Sequence, residues 1–156
     1  MIKRLLIFNI SLIIIISISC KKEKYYVDSP TAYDNEILTA INVNRQSIGL
    51  KPLVHDSTLW SVANKHSEDM ANGVVPFGHE GITQRSDQIM LALGNGQYAE
   101  NVATGTGTAE EIVNSWLANT GFKINIEGNF TLTGISAVKI KNGTYYYTEI
   151  FYKKNP

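Results

Sequence analysis

The stretch FTLTGISAVKIKNGTYYYTEIFY, residues 130–152, decides the fold class. Two segments rich in β-branched and aromatic residues flank Asn142-Gly143, a pair suited to the positive backbone angles of a two-residue hairpin turn. In a strand, alternate side chains face opposite ways. Tyr146, Ile150 and Tyr152 therefore point to one side, and Tyr145, Tyr147 and Phe151 to the other. A sheet with two apolar faces needs cover on both. The segments upstream read as helices that provide it, so the expected architecture is α+β, a three-layer α-β-α sandwich with a central antiparallel sheet.

Four helices are expected upstream. Asp34 is placed to cap the first, Ile37, Leu38, Ile41 and Ile48 recur at helical spacing, and Gly49 is placed to stop it. LKPL then turns the chain. The second runs from Asp56 or Ser57 to about Asn72, with Leu59, Val62, Ala63, His66 and Met70 on one face. A weaker third covers roughly Gln84 to Leu93. The fourth opens at Thr108, which with Glu111 has the reciprocal spacing of a capping box.

The N-terminus has a different character. Lys3 and Arg4 precede LLIFNISLIIIISIS, a run apolar enough for export yet shorter than the ~20 residues of a membrane span. Residues 1–19 thus read as a signal peptide ending at Cys20, the chain's one cysteine. Ser17-Ile18-Ser19-Cys20 resembles a bacterial lipobox, with a serine at position 17 where a leucine is usual. The expectation is export, acylation of Cys20 and membrane attachment in the envelope, with a polar tether over 20–33 and one domain over 34–156. Fourteen steps of flexible chain from Cys20 to Asp34 span about 20 Å on average.

With one cysteine, no internal disulfide is available, so stability rests on the core. Removing residues 1–19 lowers Lys plus Arg from 14 to 12 against 14 Asp plus Glu, a net charge of −2. The cations are scattered, which argues against nucleic acid as a partner.

His79 and Glu80 lie between Gly78 and Gly81, and an imidazole beside a carboxylate on a sharply bending backbone suits proton transfer or ligand binding. No Gly-x-Ser-x-Gly elbow and no cysteine in the body support nucleophilic catalysis. TGTGT, residues 104–108, lacks the lysine of a phosphate loop.

INVNRQSIGLKPLVHDSTLWSVANKHSEDMA (41–71), FGHEG (77–81), AENVATG (99–105), NSWLANTGFKINI (114–126) and TGISAV (133–138) together resemble the successive landmarks of the CAP, or SCP, domain family. The likeness covers nearly all of residues 36–152 and implies the same α-β-α sandwich. It also implies structural roles for Asn42, Arg45, Asn101 and Trp116, and a binding cleft containing His79, Glu80, Glu100, Asn119 and Phe122. In that cleft His79 and Glu100 match two of four polar corners. Phe122 stands where the family has a second histidine, and Asn119 where eukaryotic members have a second glutamate. His79 and Glu100 are thereby the candidates for catalysis or for a zinc ion. Two ligands fall short of the usual three, and the position of Glu80 or Glu149 is not fixed by the sequence. No cofactor is therefore expected.

The resulting expectation is a lipid-anchored envelope module that binds a lipid, glycan or protein without catalysis. The alternatives are a hydrolase with His79 as base and Glu100 orienting it, or a structural envelope protein with a vestigial cleft.

Overall fold

The structure is a computed structural model that describes residues 29–156. The expected signal peptide, Cys20 and most of the tether lie outside the described residues. Within them the order is α1 (Ala32–Ser47), β1 (Val54–His55), α2 (Ser57–Ala71), α3 (Ile82–Leu93), β2 (Gly96–Gly105), α4 (Ala109–Ala118), α5 (Thr120–Ile126), β3 (Leu132–Lys139) and β4 (Tyr145–Lys154). The sheet order is β1-β3-β4-β2. β4 pairs antiparallel with β2 and β3, and the two residues of β1 add a parallel edge to the otherwise antiparallel sheet.

The alternation in β4 divides the core as its sequence requires. Tyr147 and Phe151 join Ile37, Ile41, Val113, Trp116 and Ile126 under α1, α4 and α5. Ile150 and Tyr152 join Leu59, Val62, Ala63 and Ile89 under α2 and α3. Gly134 makes the second interface close: a β-carbon there would lie 2.1 Å from the backbone nitrogen of Trp60, so only glycine lets the first turn of α2 rest on β3.

Several boundaries differ from expectation for identifiable reasons. The N-cap of α1 is Thr31, and Asp34 is the third helical residue of a capping box, bonding back to the Thr31 amide at 2.8 Å. Asp34 also accepts from the Ala137 amide at 2.8 Å and from Trp60 Nε1 at 3.4 Å, which locks the start of α1 onto β3 and α2. Residues 29–33 accordingly belong to the folded body and not to a tether; the Tyr33 hydroxyl donates to the Gly107 carbonyl. The hairpin loop has three residues, because Asn142 keeps a negative φ while Gly143 takes +93°. Ile140 accepts from Gly143 and donates to Thr144, closing the loop around Lys141 to Gly143. α3 starts at Ile82, two residues earlier than expected, on a left-handed Gly81.

Residues outside the helix and hairpin patterns complete the frame. Asn42 pairs both side-chain atoms with the Leu53 backbone, at 3.0 and 2.7 Å. Buried Arg45 donates to the carbonyls of Lys51, Ile126, Gly128 and Phe130, gathering three connections at the far end of α1. Trp116 meets Tyr147 and Phe122 edge to face.

Glu149 faces the α1/α4/α5 side and is fully buried. Thr133 Oγ1 is 3.4 Å from its Oε1, and Oε2 has no partner among the described residues. Burial without a full set of donors pushes this carboxyl from its ordinary 4.5 up to about 8. A raised folded pKa gives a stabilisation that is complete below the unfolded value and is lost as pH rises through the folded one. In urea unfolding, the stability of the wild type relative to Glu149→Gln should fall by up to about 1.4 kcal/mol per pH unit as pH rises from 4.5 to 8. A difference independent of pH would mean that Glu149 is ionised in the fold.

Candidate functional site

β2 runs along the sheet edge and presents Glu100 toward α2 and α3, opposite Ile150 in the ladder. A period of two places Tyr98 on the same face. α2 ends at the glycine-rich turn 73–81, which delivers His79, and α3 begins immediately afterwards with Arg85 near its start. These elements bring four polar side chains to one point.

Arg85 holds Glu100 at both carboxylate oxygens, with Nε donating to Oε2 at 2.7 Å and Nη2 to Oε1 at 2.6 Å. The Tyr98 hydroxyl donates to Oε2 at 2.8 Å. His79 Nδ1 lies 2.9 Å from Oε1. Burial alone would raise the carboxyl's pKa, but the bonds from Arg85 and then His79 outweigh it and hold Glu100 below the usual range. Burial and the adjacent Glu100 push the Tyr98 phenol up, which keeps it a donor.

The carboxylate accepts and has no proton, so His79 Nδ1 carries the hydrogen. Its Nε2 is left as the ring's open position, and the side chain is 51% exposed while that of Glu100 is 0% exposed. Arg85 also fixes the backbone that carries His79: Nη1 donates to the Glu80 carbonyl at 2.7 Å and to His66 Nδ1 at 3.2 Å. His66 Nε2 donates to the Gly78 carbonyl at 2.8 Å. These partners select one neutral tautomer of His66, and burial lowers its pKa accordingly. His66, which helical spacing puts on the same face as Leu59, Val62, Ala63 and Met70, is packed and hydrogen-bonded, and it also braces the loop of the site.

The other candidates lie elsewhere. The Glu80 side chain is exposed, and only its carbonyl takes part. Glu149 is on the opposite face of the sheet from Glu100. Asn119 caps α5 by accepting from the amides of Gly121 and Phe122. The ring of Phe122 leans on Trp116 and the core under α1 and α4, and its carbonyl accepts from Asn101 at 3.3 Å. Asn101 in turn accepts from Asn125 at 2.8 Å, tying α5 to the edge strand.

This donor set does not fit a zinc ion. Both oxygens of Glu100 are already engaged by donors, and a guanidinium occupies the space that a second cation would need. Among the described residues no group of three His, Cys, Asp or Glu is placed to hold a metal.

The sequence reading missed Arg85, Tyr98 and the second role of His66. Arg85 shares a buried stripe with Ile89 four residues on, and a cation at helical spacing from an apolar residue was the one weak signal in the sequence.

Comparison with known proteins gives the family and the fold. The model of the CAP family, the cysteine-rich secretory proteins, matches residues 38–151, so the chain belongs to that family. The uncharacterized protein YkwD of Bacillus subtilis is 36% identical over 115 residues, which make up 71% of this chain and 44% of that protein. The chain thus spans less than half the length of that relative. Among solved structures, an outer surface protein of Borrelia burgdorferi superposes with a TM-score of 0.68 at 21% identity, covering 81% of this chain and 97% of that one. An extracellular protein containing a SCP domain from Bacillus anthracis gives 0.65 at 25%, covering 78% and 40%. The α-β-α sandwich is the fold they share with this chain.

Arg85→Ala leaves Glu100 buried without its cation and should cost about 3 kcal/mol at neutral pH in urea unfolding. A depressed folded pKa stabilises above 4.5 and the contribution is lost in acid. The deficit of the variant should therefore narrow as pH falls below 4.5. A deficit that is unchanged in acid would place the effect elsewhere.

Proposed function

We propose that this protein is an exported, lipid-anchored envelope module that binds its ligand through His79 without catalysing a reaction and without a metal. The observation that carries this reading is the saturation of Glu100 by Arg85, Tyr98 and His79. A carboxylate whose oxygens already accept from three side chains is held ionised by a neighbouring cation. It is a poor proton acceptor and a poor metal ligand. It serves as a fixed counter-ion that orients the ring. His79 Nε2 then faces solvent as an oriented acceptor, or as a donor once the ring is protonated, for a polar group on a lipid, glycan or protein of the envelope.

Export is supported by the apolar N-terminal run and by solved relatives described as extracellular or outer-surface proteins, and anchoring by the resemblance of Ser17-Ile18-Ser19-Cys20 to a lipobox. The second reading, a hydrolase, has one observation in its favour: a carboxylate 2.9 Å from Nδ1 is how a general base is oriented. A rigid cleft with no ligand at all corresponds to the structural reading.

Binding to the chain from Cys20 onward is measured by calorimetry against envelope lipids, wall fragments and envelope proteins. The expected result is a ligand whose affinity falls about tenfold or more in His79→Ala, the loss of a hydrogen bond to a charged or polarised group, with unfolding stability little changed. Turnover of a peptide or ester that disappears in His79→Ala would contradict the proposal in favour of the hydrolase. A cellular phenotype untouched by His79→Ala with Glu100→Gln, together with no binding in the screen, would favour the structural role.

A further inference from the structure

The two ends of the sheet differ in what surrounds them. At the end formed by Lys139, Tyr145 and Gly105, the turn after α2 exposes Val74 and Phe77, at 69% and 54%. Phe77 rests edge to face on the half-buried Tyr146 at 6.3 Å, which joins the turn to β4, and Val74 is exposed three residues earlier in the same turn. The same end receives the N-terminal chain. Asp34 accepts from the amides of Thr31 and Ala137, the latter two residues before Lys139, the Tyr33 ring lies 4.8 Å from that of Tyr145, and Ser29 and Pro30 line a groove with Val75 and Lys65. At the opposite end the exposed Val54 and Leu91 stand on separate elements, on β1 beside Leu132 and on α3 near Gly94.

We infer that Val74, Phe77 and Tyr146 form a membrane-contact face, which rests on the bilayer that carries the chain's own Cys20. The occupant follows from chain length. Ser29 is nine residues on from Cys20, so even a fully extended connection reaches only about 30 Å. A lipid attached at Cys20 keeps this end of the domain near the surface. Two apolar side chains would bind a bilayer too weakly on their own. A short tether supplies an effective concentration in the millimolar range, at which weak insertion suffices. Exposed Lys141, in the hairpin loop at this end of the sheet, is the cation placed to meet phosphate headgroups, whereas Lys139 lies over the Tyr145 ring on the other face. Glu110 and Glu111 begin α4 on the other face of the sheet, and on the α2/α3 side Asp69 is paired with Lys65, so the exposed apolar groups set which side leads the approach. His79, two residues on from Phe77, is then held beside the headgroup layer.

This inference rests on the proposed anchor at Cys20, and the test separates the two. The chain from Cys20 to Pro156 is coupled through its one cysteine to a maleimide lipid in vesicles of phosphatidylethanolamine with a minority of phosphatidylglycerol. A portion of the acyl chains carries bromine, which quenches tryptophan. Trp60 and Trp116 are buried and provide a constant background. Emission from an added tryptophan at Phe77→Trp or, as a second variant, Val74→Trp should fall by about half or more, as expected for a side chain at the headgroup and acyl boundary. Val54→Trp, at the opposite end, should be unaffected. No quenching at either of the first two positions, or equal quenching at Val54→Trp, would overturn the membrane-contact face. Mass spectrometry of Cys20 from cells tests the anchor itself, and an unmodified cysteine would remove the anchor whatever the vesicles show.

Discussion

A carboxylate taken out of water must be compensated, and the chain does this for Glu100 with one arginine. The bidentate contact from Arg85 fixes the start of α3 against β2. The remaining guanidinium nitrogen reaches back to the Glu80 carbonyl and to His66, so the turn between α2 and α3 is held by the same charge that neutralises Glu100. The position of His79 is a consequence of that arrangement. One ion pair therefore joins helix, edge strand and loop, and sets which nitrogen of the imidazole faces solvent.

Much of the architecture can be read from residues 130–152, because period-two alternation with apolar groups on both faces leaves few arrangements other than a covered sheet. The helices with strong caps, at Asp56 and Thr108, lie where capping chemistry places them. The elements that escaped the reading lack a local signal. β1 is two residues long, β2 interleaves Glu100 and Asn101 with alanine and glycine, and α5 is a seven-residue helix following directly on α4. Each is specified by partners distant in sequence: β1 by β3, β2 by its ten-residue register with β4, and α5 by Asn101 and Arg45. The same holds for the site. His79 and Glu100 were recognisable from family landmarks, whereas Arg85 acquires meaning only once α3 is folded against β2.

Membership of the CAP family accounts for the sandwich, and the departures from the family pattern bear on what the cleft does. Phe122 contributes a ring to the core beside Trp116, and Asn119 contributes a helix cap. Both positions are occupied by residues with structural work in this chain. What remains polar and exposed is concentrated on His79. The proposed binding role rests on an imidazole held by an ionised and fully engaged neighbour, since pre-organisation lowers the entropic cost of holding a ligand.

The most direct test is the tautomer of His79, measured by nitrogen-15 NMR correlation of the imidazole in the full domain. The account requires the ring, when neutral, to carry its hydrogen on Nδ1, bonded to Glu100, with Nε2 an acceptor, and this pattern to be lost in Arg85→Ala. A neutral ring protonated on Nε2, in a protein whose fold is intact, would contradict it.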